Sequence, residues 1–164
     1  MVATLFGLGG GVMSLTELLE KDGIQIVNEA TAALVRSDLA RYKEAGDAVS
    51  RERLDELFQL ALLSIRERKL TPVVEHMTHV AQERFHAGYD IREVQIAINV
   101  LEEAIWKHIV AEMPASDLAE ALGLVSTVLG AAKDSLARAY VSLASMSKAP
   151  SLDLSALFEG KTSG

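Results

Sequence analysis

A chain of 164 residues that is 49% apolar has material for one substantial core and falls within the usual size of one domain. Its formal charge of −7 disfavours non-specific binding to nucleic acid or anionic lipid, both of which need a basic surface that displaces counterions. With no cysteine, the chain has no disulfide, thiolate metal site, thiol redox switch or cysteine nucleophile.

The opening stretch MVATLFGLGGGVM is apolar, lacks a basic flank, is interrupted by glycine and is shorter than the roughly 20 residues a bilayer-spanning helix needs. Residues 1–13 are therefore expected to form a flexible arm on a cytoplasmic protein with no membrane partner. Gly7, Gly9, Gly10 and Gly11 are not expected to cradle a phosphate, because no buried strand precedes them.

Ser14 and Glu17 have capping-box spacing and predict a short helix from Leu15 to about Lys21, ending near Gly23. Ile24 to Ala45 carries neither glycine nor proline and predicts a second helix, stopped by Gly46. After Ser50, the set Leu54, Leu57, Phe58, Ala61, Leu62 and Ile65 recurs at steps of three and four and predicts a third, amphipathic helix. Thr71 before Pro72 reads as an N-cap followed by proline at the first helical position, opening a fourth helix that runs to Gly88. Asp90 and Glu93 form another capping box, and Ile91, Val94, Ile98, Leu101, Ile105 and Ile109 draw an apolar stripe to Met113 and Pro114.

The last predicted helix begins near Ser116 or Asp117. Leu118, Leu122, Val125, Leu129, Ala132, Leu136, Ala139, Leu143 and Met146 alternate steps of four and three, the period of a helix wound against a partner. The flanking positions are mostly small, among them Ala119, Ala121, Ser126 and Ser135, which suits a helix embedded in a bundle over its first half. Leu122, Val125, Leu129, Ala132, Leu136 and Leu143 are the candidate homodimer interface. Residues 148–164, broken at Pro150, read as a flexible tail, and residues 14–147 as the helical domain. No strand pattern occurs, so the expected fold class is all-α, a bundle of about five to six helices with a long C-terminal one.

Four histidines are the candidate ligands or proton carriers: His76, His79, His86 and His108. Glu83 and His86 make one Glu-x-x-His pair, but a di-iron bundle needs two, and Glu75, His79, Gln82 and His86 share a polar helix face. No metal site is expected. His108 lies on the apolar side of its helix and is the one candidate for an axial haem ligand, although few aromatic residues are present to wall a porphyrin, and no cofactor is expected. Adjacent acids such as Glu102 with Glu103 diverge around a helix, and no nucleophile elbow occurs, so an enzyme is not expected. Phe85, Tyr89, Trp106 and His108 are the candidate lining of a ligand pocket between helices.

The stretch ERFHAGYDIREVQIAINVLEEAIWKHI has a helix before a glycine, a capped turn, and a long helix with an aromatic near its end. With LVRSDLARYKEAG and the Thr-Pro start upstream, it resembles the RsbR-type family, the N-terminal, non-haem globin-like sensor domain of bacterial stressosome co-antagonists. The resemblance covers about residues 20 to 147. It implies a globin-like helical fold, dimerisation through the last helices, and a stress-response input relayed to an output module. The phospho-accepting STAS domain of full-length members has no counterpart in this sequence, so an output through a separate signalling partner is expected. The alternatives are a haem or gas-binding globin-like sensor and a simple interaction adaptor.

Overall fold

A computed structural model describes residues 13–148 as six α-helices: α1 (Leu15–Arg36), α2 (Ala40–Ala45), α3 (Asp47–Glu67), α4 (Thr71–His86), α5 (Ile91–Glu112) and α6 (Leu118–Lys148). A single 3-10 turn, Ala115–Asp117, leads into α6, and no strand occurs among the described residues. The all-α bundle with a long C-terminal helix is therefore observed. The arm expected over 1–13 and the tail expected over 148–164 lie almost wholly outside the described residues; of the first, Met13 is half-buried against the core.

The five long helices close a ring in which α1 packs on α3 and α5, α4 on α3 and α6, and α5 on α6. The predicted faces of α3 and α5 form the interior. Leu54, Leu57, Phe58, Ala61, Leu62 and Ile65 are all buried, as are Val94, Ile98, Leu101, Ile105 and Ile109. Both predicted capping boxes are formed. At α1 the Glu17 amide donates to Ser14 Oγ at 3.1 Å, and the Ser14 amide donates to Glu17 Oε2 at 2.9 Å. At α5 the Arg92 amide donates to Asp90 Oδ1 at 2.7 Å.

Gly23 does not end a helix. α1 runs through it for 22 residues, because a Cβ there would stand 2.9 Å from Cε1 of the buried Phe58, so the glycine admits α3 closely rather than stopping α1. The break comes at residues 37–39 instead, where Asp38 adopts φ 49°. α4 begins one residue early: Thr71 is inside the helix and Leu70 caps it without a side-chain hydrogen bond, so Thr71 is not the cap. Gly88, at φ 80°, makes the turn between α4 and α5, a conformation other residues resist.

The four-three stripe of α6 has a different destination from a dimer seam. Val125, Leu129, Ala132 and Leu136 are at most 1% exposed and are buried in the protein's own core, where α6 packs on α4 and α5. The apolar surface of those four is consumed within one chain. Leu122 and Leu143, from the same set, are half-buried. Residues 115–147 are also long and apolar enough to cross a membrane by length and composition.

Candidate functional site

Two polar clusters interrupt the core. The first lies where α1 and α5 run antiparallel. On α1 the inward row Leu15, Leu18, Leu19, Asp22 and Ile26 places a carboxylate among leucines; on α5 the row Leu101, Ala104, Ile105 and His108 places an imidazole opposite. His108 Nδ1 lies 2.8 Å from Asp22 Oδ2, and Nε2 lies 2.9 Å from Glu29 Oε2. Glu112, one turn after His108, brings Oε1 to 4.0 Å from Nδ1. Lys21 Nζ donates to Glu112 Oε2 at 2.7 Å and stands 3.7 Å from Asp22 Oδ1.

With a carboxylate on each ring nitrogen, both nitrogens act as donors, which is the protonated imidazolium. Burial alone would push the His108 pKa down, but the hydrogen bonds to Asp22 and Glu29, and their charge, hold it above its ordinary value. Burial likewise opposes ionisation of Asp22; the hydrogen bond with the His108 ring and the Lys21 ammonium outweigh it and hold its carboxyl below the usual range.

Asp22, His108 and Glu112 bring donor atoms within 4.8 Å of one another. A divalent ion there would have to displace the imidazole proton and take Glu112 from Lys21, so the cluster is built for a proton and an ammonium group. Haem does not fit His108 either. Neither ring nitrogen is free for iron, and Trp106, the nearest aromatic residue along α5, lies on the helix's outward side, 41% exposed.

The second cluster lies at the opposite end of α5. Tyr89 sits edge-on to Tyr42, with ring centroids 5.2 Å apart, and Phe85 edge-on to Tyr140 at 5.6 Å. Tyr140 Oη donates to the Tyr89 carbonyl at 3.1 Å, and burial pushes its phenol up to about 12. Arg53 donates to Tyr89 Oη at 2.9 Å, and the guanidinium carbons of Arg53 and Arg84 lie 5.7 and 5.6 Å from the Tyr89 ring centre. Arg84 is 5% exposed and pairs with the neighbouring Glu83, yet its Nε–H has no acceptor.

The four residues expected to line one pocket are thus not brought together. Phe85 and Tyr89 belong to the tyrosine cluster, whereas Trp106 and His108 lie 17 and 19 positions further along than Tyr89, about 25 Å at helical rise, and face different ways. Glu75, His79, Gln82 and His86 are exposed, as their shared polar face predicted. The partners of His108 escaped the sequence reading because Asp22 and Glu29 are 86 and 79 residues away. A signal was present: Asp22 falls on the inward row of α1, and Arg84 on the row Val73, Met77, Ala81 of α4. No family model matches this chain, and no curated protein matches it.

Proposed function

We propose that this chain is a non-enzymatic sensory or regulatory domain that dimerises and relays an input through its C-terminal helices to a signalling partner. The sequence resemblance to RsbR-type sensors, with its globin-like fold and stress-response context, supports that reading. The observation that carries it is the outward face of α5 and α6. Trp106 and Val110 are 41% and 60% exposed, one turn apart on α5. On α6, Gly123 and Gly130 are separated by two turns, and a Cβ at either would meet nothing within 4 Å.

Lys133 registers the two helices, reaching Asn99 at 3.3 Å and Glu102 at 2.7 Å. Gly130 lies one turn before Lys133 on α6, and Trp106 one turn beyond Glu102 on α5. Because the helices are antiparallel, the glycines run alongside the tryptophan. Each helical glycine costs about 1 kcal/mol relative to alanine, and packing within the chain gives no return for it here. Close approach of a second copy would, with Trp106 as its anchor.

The relay is assigned to the end of α6. Its 31 residues span about 46 Å, and among the described residues after Tyr140 none is fully buried, leaving Val141 and Met146 67% and 66% exposed. The ring nitrogens of His108 are both taken by internal carboxylates, which suits a structural brace more than bond chemistry.

Sedimentation velocity of the full chain tests the association. We expect a dimer at micromolar concentration, and a monomer of unchanged helicity for Trp106→Glu. A monomeric parent chain, or a folded Trp106→Glu dimer of undiminished affinity, removes this face from the proposal.

A further inference from the structure

We propose that the cavity between α3, α4 and α5 is a binding site for a short monocarboxylate with an apolar body, its carboxylate held by Arg53 and Arg84. The proposal is independent of dimerisation, since none of Trp106, Val110, Gly123 and Gly130 lines the cavity. Its volume is about 280 Å³, the scale of a small organic acid rather than a large cofactor.

The cavity's composition specifies the ligand. Leu54 and Leu57 from α3, Met77 and Val80 from α4, and Val94 and Ile98 from α5 supply apolar wall. Arg53 and Arg84 both line it, and their guanidinium carbons lie 5.7 and 5.6 Å from the centre of the Tyr89 ring. Two guanidinium groups lining one partly buried cavity favour an anion there. Among the described residues Arg84 pairs only with Glu83, itself half exposed, and Arg53 pairs with no carboxylate at all.

The Arg84 side chain is 6% exposed and has an unpartnered Nε–H. A buried donor without an acceptor is uncommon in folded proteins, and a bound carboxylate beside two guanidinium groups would supply charge and acceptor together. Half-buried His76, which also lines the cavity, is kept neutral by burial, with its pKa lowered, and offers a further hydrogen-bonding group without adding charge.

The rim narrows the choice. Glu52, Glu56 and Glu83 border the same cavity, and all three are exposed. A phosphate or dicarboxylate would bring two charges past three carboxylates, whereas a monoanion carries one, and its apolar remainder matches the wall. Charge count and wall chemistry therefore select a monocarboxylate over a polyanion.

Isothermal titration of the full chain with hexanoate, benzoate, hexanamide and inorganic phosphate tests this assignment. At least one of the two carboxylates should bind, with the amide and phosphate weaker by about tenfold or more, the loss expected when a charge-assisted hydrogen bond is removed. Arg53→Gln, at a half-buried position where folding is readily retained and verifiable by circular dichroism, should weaken carboxylate binding by a similar factor. Methyl shifts in a two-dimensional proton–carbon NMR titration should centre on Val94 and Ile98. Equal binding of hexanoate and hexanamide, tighter binding of phosphate, no heat from either carboxylate at millimolar concentration, or a folded Arg53→Gln variant of unaltered affinity would each overturn it. Sedimentation of the same samples separates this outcome from the dimer: loss of the site leaves association unchanged, and a monomeric chain that binds hexanoate keeps the site.

Discussion

His108 illustrates how one residue ties two distant segments together. A buried imidazole joined to Asp22 and Glu29 on another helix acts as a cross-brace between α1 and α5, and its contribution follows pH with a definite sign. The folded-state pKa is raised, so the stabilisation is complete below the unfolded value of about 6.5 and is lost as pH rises through the folded value. Asp22, with a lowered pKa, acts in the opposite sense: its contribution is present above about 3.9 and is lost as pH falls through its folded value. Urea unfolding at a series of pH values should therefore show a stability maximum in mildly acidic to neutral solution, with a falling alkaline limb. His108→Leu should flatten that limb and lower stability by about 3 kcal/mol, because it leaves Asp22 buried beside Glu112 without the imidazolium. An alkaline limb that persists in the variant would assign the effect to another group. The position of His108 on an apolar face was legible in the sequence, but its partners were not, since pairing across about 80 residues is a property of helix docking. Asp22 and Arg84 mark the limit of periodicity: it identifies a charged residue on an inward row without identifying what neutralises it.

At the scale of elements, the helices were legible wherever local chemistry decides their ends. Ser14 with Glu17 and Asp90 with Glu93 satisfy free amides within one turn, and each begins a helix where its spacing says. Gly23 was misleading because glycine serves two purposes, and only the position of Phe58, 35 residues later, shows that close packing and not termination is its role here. The four-three stripe of α6 carried a similar ambiguity. Such spacing reports that a helix winds along a partner, but the partner can be a neighbouring helix of the same chain, and α4 and α5 fill that role. Leu129→Asp decides between the two. With the side chain fully buried in the monomer, the variant should lose more than about 4 kcal/mol and unfold cooperatively at much lower urea, visible in the far-ultraviolet circular dichroism at any protein concentration. A variant that stays folded and merely dissociates would return Leu129 to an intermolecular seam.

For the whole molecule, association depends on what the bundle leaves uncovered. The ring of five long helices buries the predicted faces of α3 and α5, yet α5 and α6 together present Trp106, Val110 and two open glycines to the outside. Stability and association make opposed demands on those glycines. Within one chain, Gly123→Ala with Gly130→Ala fills empty space on helical backbone, so the double variant should gain about 1–2 kcal/mol in urea unfolding measured at a concentration where the chain is monomeric. Across a two-fold interface each methyl appears twice at a close helix contact, and four added methyls should weaken dimerisation by about tenfold, the usual scale of overpacking at a fitted surface. A variant that is more stable as a monomer and weaker as a dimer has no explanation in propensity alone, because propensity acts equally on both states. If the double variant gains stability and associates as the parent does, the glycines are spectators and the second copy docks elsewhere. If it loses stability as a monomer, the space beside Gly123 and Gly130 is occupied within the chain, and the reason for assigning this face to a partner disappears.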